Sequence, residues 1–391
     1  MTSSNRDAQS KAGRGSKLAL TGVILACLTA AVLTAASATA NPTTGSKASG
    51  FQRDVDALVA AGAPGAILLV RDGNRIVRVT AGFGDVARKT PMRANDHFKI
   101  ASLTKSYTAA VVLQLVGEGK LGLDDSVEQR LPGLVPNGEK ITIRRLLNHT
   151  SGLADFELNP RYLKPYLNGN FGHYWAPRAL VEMGVSQKPL FAAGTRYSYS
   201  NTNYVLAQLI VEKVTGKPIS AELKRRIFQP LHLGDTTYPT RPGLANPYAH
   251  GYRLFGKPPA VDVTGLSPSL APGSGAIVST ALDVADFYRG LLSGKLLEPE
   301  QMTAMKTAVS LRTGEIVASG ARDGLGIGRP PFSCAGWGRG GEFPGYEVYA
   351  ISSPDGRRQT VLMMNQDRST AAKRAVALFD KLAEKAFCAG A

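Results

Sequence analysis

A serine and a lysine stand three residues apart, Ser102 and Lys105, in the stretch FKIASLTKSY at residues 98–107. On a helix, positions i and i+3 share one face, so hydroxyl and amine can touch. The first turn of a helix also has unpaired N–H groups and the positive end of the helix dipole. A serine there carries a backbone donor ready for an oxyanion. The same field, together with loss of water, lowers the amine's pKa until it can accept the serine's proton. The pair therefore suits a serine nucleophile with a lysine base. Ordinary Ser and Lys usage yields roughly one or two such spacings by chance in a chain this long, so the pair needs company.

Company comes from YSYSNTNY at 197–204, where Tyr199, Ser200 and Asn201 precede a predicted helix over 202–215. A phenol in a cleft can pass a proton to or from a serine, and an asparagine amide can hold a substrate carbonyl. Tyr197 and Tyr204 read more simply as aromatic packing around the turn. Other chemistries find little support. The histidines are His97, His149, His173, His232 and His250, and no H-E-x-x-H or cysteine pair gives metal-ligand spacing. His149, in NHTSGL, reads as the brace of a turn. There is no G-x-S-x-G elbow, no G-x-G-x-x-G and no Walker loop. PGSGA at 272–276 reads as a tight turn beside a cleft, and Asp124 with Asp125 as a solvated turn. No metal or organic cofactor is expected.

The elements that must position these residues follow from periodicity. FQRDVDALVAAG (51–62) has helical spacing after a polar linker at 41–50. AILLV (66–70) and RIVRVTAGFG (75–84) flank RDGN and predict a hairpin; YEVYAISS (346–353) and RQTVLMMN (358–365), joined by PDGR, predict another. A buried helix is predicted from Ser102 to about Val116, a capped helix after Ser279, and a last helix over about 370–387. Sheet at both ends with short helices between implies one α/β domain, residues 51–110 with 270–391, carrying a mostly helical insertion, 111–269. The antiparallel sheet would be flanked by helices, with a site in the cleft between the two parts.

The 391 residues suffice for one large domain or two intimate ones, and a hydrophobic share of 43% is ordinary for a globular chain. Residues 1–40 carry Arg6, Lys11, Arg14 and Lys17 against Asp7, then an apolar run, then SATAN, the layout of a secretory signal peptide ending before Asn41. Retention of that run as an anchor, or lipid on Cys27, are the alternatives. Of the net charge of +16, +13 remains beyond the signal. A basic exported protein is expected near anionic wall polymers. No basic run interleaved with aromatics points to nucleic acid. Export leaves Cys334 and Cys388, for which an oxidising compartment favours a disulfide.

The combination of SxxK at Ser102, NHTSGL at 148–153 and Y-S-N about a hundred residues after the serine resembles the penicillin-recognising serine hydrolases. These include class C β-lactamases, related esterases and exported D-alanyl-D-alanine carboxypeptidases. The likeness runs from about Phe51 to Cys388, and SLTKSYTAAVVLQLVGEGKL and GAIVSTALDVADF are most similar to the carboxypeptidase branch. The resemblance implies a β-lactamase/transpeptidase-like fold. It implies Ser102 as nucleophile, Lys105 as proton acceptor, Tyr199 as proton shuttle and Asn201 as binder of the substrate amide. In GWGRGGEFPGY (336–346) it places Arg339 where the family has Lys or His, followed by Gly340 and Gly341. The backbone N–H of Glu342 would then join that of Ser102 as an oxyanion hole. Arg339 departs from the family pattern: it cannot relay a proton, but its fork could grip a substrate's terminal carboxylate. Glu342 is a second departure, since it would repel such a carboxylate unless Arg339 neutralised it. The implied activity is carboxypeptidase action on peptidoglycan stem peptides or other small acyl substrates, with β-lactams as acylating mimics. A β-lactamase, esterase or D-amino-acid peptidase is the alternative within the chemistry, and a non-catalytic wall-binding protein the alternative outside it.

Overall fold

The computed structural model describes residues 42–255, 259–310, 312 and 322–389; the predicted signal lies outside them. Two hairpins organise the chain. Strands β1 (Gly65–Asp72) and β2 (Arg75–Asp85) pair antiparallel across the predicted turn. A short β3 (Thr90–Pro91) extends that edge. Late in the chain come the two-residue strands β4 (Val309–Ser310), β5 (Arg322–Asp323) and β6 (Gly328–Arg329). They are followed by β7 (Trp337–Phe343), β8 (Tyr346–Ser352) and β9 (Arg358–Met364). All nine form one antiparallel sheet in the order β3-β2-β1-β9-β8-β7-β6-β5-β4. The join of the chain's two ends is the β1–β9 ladder, with Ala66 opposite Met364 and Leu69 opposite Val361.

Side chains alternate across the sheet, and both faces are covered. Ala66 and Leu68 on one face pack with helices α1 (Pro42–Ala60) and, at the end of the chain, α5 (Lys373–Cys388). Ile67 and Leu69 on the other face join the larger core. Burial on both faces explains why AILLV reads as an unbroken apolar run. The first helix begins at Pro42, inside the stretch read as linker. Once started, a helix adds residues cheaply, and PTTGSKASG at 42–50 has no apolar period to read.

The larger core surrounds helix α2 (Thr104–Gly117), whose residues Thr104 to Leu113 are all buried. Helix α3 (Thr202–Thr215) packs against it and ends at Gly216, whose φ of 66° suits a left-handed cap. Helix α4 (Ala281–Leu292) starts at Thr280, whose hydroxyl accepts the Asp283 N–H at 3.3 Å. Cys334 and Cys388 are joined, Cα atoms 5.6 Å apart, tying the loop before β7 to the end of α5.

Candidate active site

The serine is aimed by a tight turn. Ala101–Leu103 form a single turn of 3-10 helix immediately before α2, and Ala101 has φ of 50°. A left-handed alanine costs about 1–2 kcal/mol, which the packing around it must hold. The Ile100 N–H donates to Ile277 O at 2.9 Å, fixing the segment from behind. On the other side, β7 runs close by. A Cβ on Gly341 would come within 2.8 Å of Ser102 N and 2.9 Å of Ile100 O, so only glycine lets the strand approach.

Ser102, Lys105 and Tyr199 converge. Ser102 Oγ lies 2.7 Å from the Tyr199 hydroxyl and 3.0 Å from Lys105 Nζ. Lys105 is fully buried, 0% exposed. Burial, reinforced by the charge of Arg339, pushes its pKa well below the ordinary lysine value. Nζ also contacts Asn201 Oδ1 at 2.7 Å and Ser274 O at 2.9 Å. A neutral amine has two N–H donors and one lone pair. The two carbonyl oxygens use the donors, and the lone pair is left facing Ser102. Tyr199 opens its ring to the cleft, 37% exposed. Loss of water around the hydroxyl drives its pKa up to about 12, against the opposing pull of Arg339 and of the Ser102 hydrogen bond. The phenol is thus a neutral proton donor at physiological pH.

Three residues depart from their expected settings. Arg339 does not present a free fork: it is 9% exposed, with Nη1 on Asp323 Oδ1 at 3.0 Å and Nη2 on Oδ2 at 3.5 Å. Burial works against its charge, but Asp323 and the surrounding phenols hold it protonated. The reason is local: β5 brings Asp323 beside β7 through β6, so the carboxylate is built in. Asn201 is more engaged than expected. Its Oδ1 holds Lys105, and its N–H and Nδ2 both donate to Asp155 Oδ2, at 2.9 and 3.0 Å. One Nδ2 hydrogen remains for a substrate. Glu342 is not countered by Arg339; its Oε1 accepts the Ser369 N–H at 2.9 Å, and its backbone follows Gly341 along β7.

Asp155, Asp323 and the Ser274 carbonyl complete the site and carry no motif of their own in the sequence. Ser274 lies in PGSGA, the turn expected beside the cleft. His149 is neutral, its pKa pushed well down by burial and by Arg339 and Lys105. Its Nδ1 accepts the Ser200 N–H at 3.2 Å and its ring lies 4.5 Å from that of Tyr199, so it braces the phenol.

Ser102, Tyr199, Asn201, Ser274, Asp323 and Arg339 line one cleft of about 840 Å³. Ser102, Tyr199 and Asn201 form its floor; Tyr162, Tyr166 and Phe171 add apolar wall; Glu157 and Glu342 also line it. Burial and neighbouring Asp155 push the Glu157 carboxyl upward.

A nucleophilic oxygen held between a buried amine and a phenol is the arrangement of a serine acyl-transfer site, and the family comparison agrees: the Beta-lactamase family model matches residues 51–385. The chain belongs to the β-lactamase family. It is a serine hydrolase fold, and the likeness spans almost the whole described chain. Penicillin-binding protein 4* of Bacillus subtilis (strain 168) is 27% identical over 334 residues, covering 80% of this chain and 70% of that protein. Among solved structures, a D-stereospecific amidohydrolase from Streptomyces sp. is 35% identical with a TM-score of 0.78, covering 88% of this chain and 99% of the other. The D-amino acid amidase from Ochrobactrum anthropi SV3 gives 26%, a TM-score of 0.75, and coverage of 88% and 99%. Penicillin-recognising serine hydrolases are therefore the right superfamily, and the mixed α/β sheet with flanking helices is its fold.

Proposed function

We propose that this chain is an exported serine hydrolase that opens amide bonds of D-amino-acid derivatives carrying a free amino group, through an acyl-enzyme on Ser102. The observation that carries the chemistry is the lone pair of Lys105 facing Ser102, its two N–H groups already spent on Asn201 and Ser274. Lys105 takes the Ser102 proton as Oγ attacks the carbonyl carbon. The oxyanion rests on the N–H groups of Ser102 and Glu342. Tyr199 protonates the leaving nitrogen, Lys105 returns the proton to Tyr199, and water then opens the ester.

The substrate class follows from charge. Arg339 is paired with Asp323 and offers no free fork for a terminal carboxylate. Glu157 and Glu342, lining the cleft, suit an ammonium instead. The likeness to the amidohydrolase and the amidase supports the same choice. A second reading, D-alanyl-D-alanine carboxypeptidase action on peptidoglycan stem peptides with β-lactams as mimics, is favoured by one observation. Arg322 and Arg329, cross-strand neighbours, line the cleft and could receive a carboxylate on the leaving group. The test is hydrolysis of a D-aminoacyl amide, its L enantiomer and an N-acylated D-Ala-D-Ala peptide by wild type and Ser102→Ala. Turnover of the D amide alone, lost in the variant, supports the first reading. Release of D-alanine without amidase turnover transfers support to the second, and turnover by Ser102→Ala refutes both.

A further inference from the structure

The strand that passes Ser102 carries an acidic pair just beyond the point of closest approach. Gly341 touches the serine turn; Glu342 is one residue, about 3.3 Å, further along β7. Directly opposite on β8 stands Glu347. Like charges directly opposite on neighbouring strands destabilise a sheet, so the pair needs a reason. Arg368 is only a partial one. Its Nε donates to Glu347 Oε1 at 3.0 Å, while Nη1 and Nη2 are committed to Asp380 at 3.0 and 2.6 Å. Two carboxylates, those of Glu347 and Asp380, thus share one guanidinium, and Glu342 has no part of it, in a chain of net charge +16. Glu347 is 4% exposed, and its Oε2 has no hydrogen-bond partner among the described residues. A buried carboxylate oxygen left unpaired is costly. Glu342, Glu347 and Arg368 all line the cleft that holds Ser102.

We infer that Glu342 and Glu347 form a subsite for a cationic side chain on the acyl part of the substrate, so that the enzyme prefers basic D-amino-acid amides. The inference rests on the D-aminoacyl amidase reading and adds the side-chain class. An arriving ammonium would supply the missing donor to Glu347 Oε2 and screen Glu342 from Glu347. Burial raises the Glu347 carboxyl to about 8, with Arg368 opposing and Glu342 adding to the effect, so near neutral pH the arriving ammonium would take the place of a proton on that carboxyl.

The experiment compares kcat/KM for D-lysine p-nitroanilide and D-norleucine p-nitroanilide, which have similar apolar stems but differ in the terminal ammonium. Wild type should favour the lysine compound by about tenfold or more, equivalent to roughly 1.4 kcal/mol. Glu347→Gln and Glu342→Gln should each pull that ratio toward one, mainly through KM for the lysine compound. Because the ratio cancels the amount of active enzyme, partial misfolding of a variant does not blur it. A wild-type ratio of one or below, or a ratio unmoved in both variants, overturns the subsite. If the norleucine compound is turned over without a lysine preference, the subsite alone falls. If neither compound is turned over, the amidase reading falls with it.

Discussion

Replacing Asp323 by asparagine tests whether Arg339 is a locked structural cation or a free substrate fork. Both side chains are 8% exposed, and Nη1 to Oδ1 is 3.0 Å. Guanidinium cannot shed its charge, so the variant leaves a buried cation without its anion. Breaking one partner of a buried pair costs about 3–5 kcal/mol. For roughly 350 folded residues at about 2.1 cal/mol/K each, that converts to a fall in Tm of about 4–7 °C. The Asp323→Asn, Arg339→Met double variant removes both charges and should recover most of the loss, giving a large coupling in a double-mutant cycle read by calorimetry. The chemistry should move too. Asp323 raises the lysine's pKa and Arg339 lowers it, so removing Asp323 lowers it further. In the proposed mechanism Lys105 acts as the free amine, which is lost as pH falls, so the acid limb of acylation should shift to lower pH in Asp323→Asn. A Tm within about 1 °C of wild type with no coupling would refute the locked-cation argument, as would a limb displaced to higher pH.

Other consequences are quickly checked. Tyr199→Phe keeps the ring against His149 but removes the hydroxyl 2.7 Å from Ser102 Oγ, and steady-state kcat should fall by about 10²–10⁴-fold. Gly341→Ala forces a Cβ to within 2.8 Å of Ser102 N, and displacing the strand by about 1 Å should cost about 10²-fold in kcat, read with a chromogenic amide. The Cys334–Cys388 bridge closes a separation of 54 residues, so Cys334→Ser with Cys388→Ser should lose about 4 kcal/mol on the chain-entropy model, measured by urea titration.

The parts of the fold that could be read from the sequence are those with local periodicity. The β1–β2 and β8–β9 hairpins announce themselves by β-branched runs around RDGN and PDGR, and the helix after Ser102 by its apolar run from Ala109 to Leu113. The two-residue strands β4, β5 and β6 have no period to show, and they bring Asp323 to Arg339. The same division runs through the site. Ser102 with Lys105, and Tyr199 with Asn201, are visible because each pair lies within one turn of chain. Asp155 reaches Asn201 from 46 residues away, and no spacing rule predicts such a contact. Guanidinium chemistry alone suits Arg339 to a substrate carboxylate, but the carboxylate it meets is that of Asp323, which only the folded sheet supplies.

The proposed mechanism stands or falls on whether the Ser102 oxygen is the atom that becomes acylated. Intact mass of wild type and Ser102→Ala after treatment with a fluorophosphonate, followed by peptide mapping, measures this directly. One adduct on wild type, carried by the peptide containing Ser102 and absent from the variant, is the predicted result. An unmodified wild type, or an adduct that persists in Ser102→Ala, would contradict it.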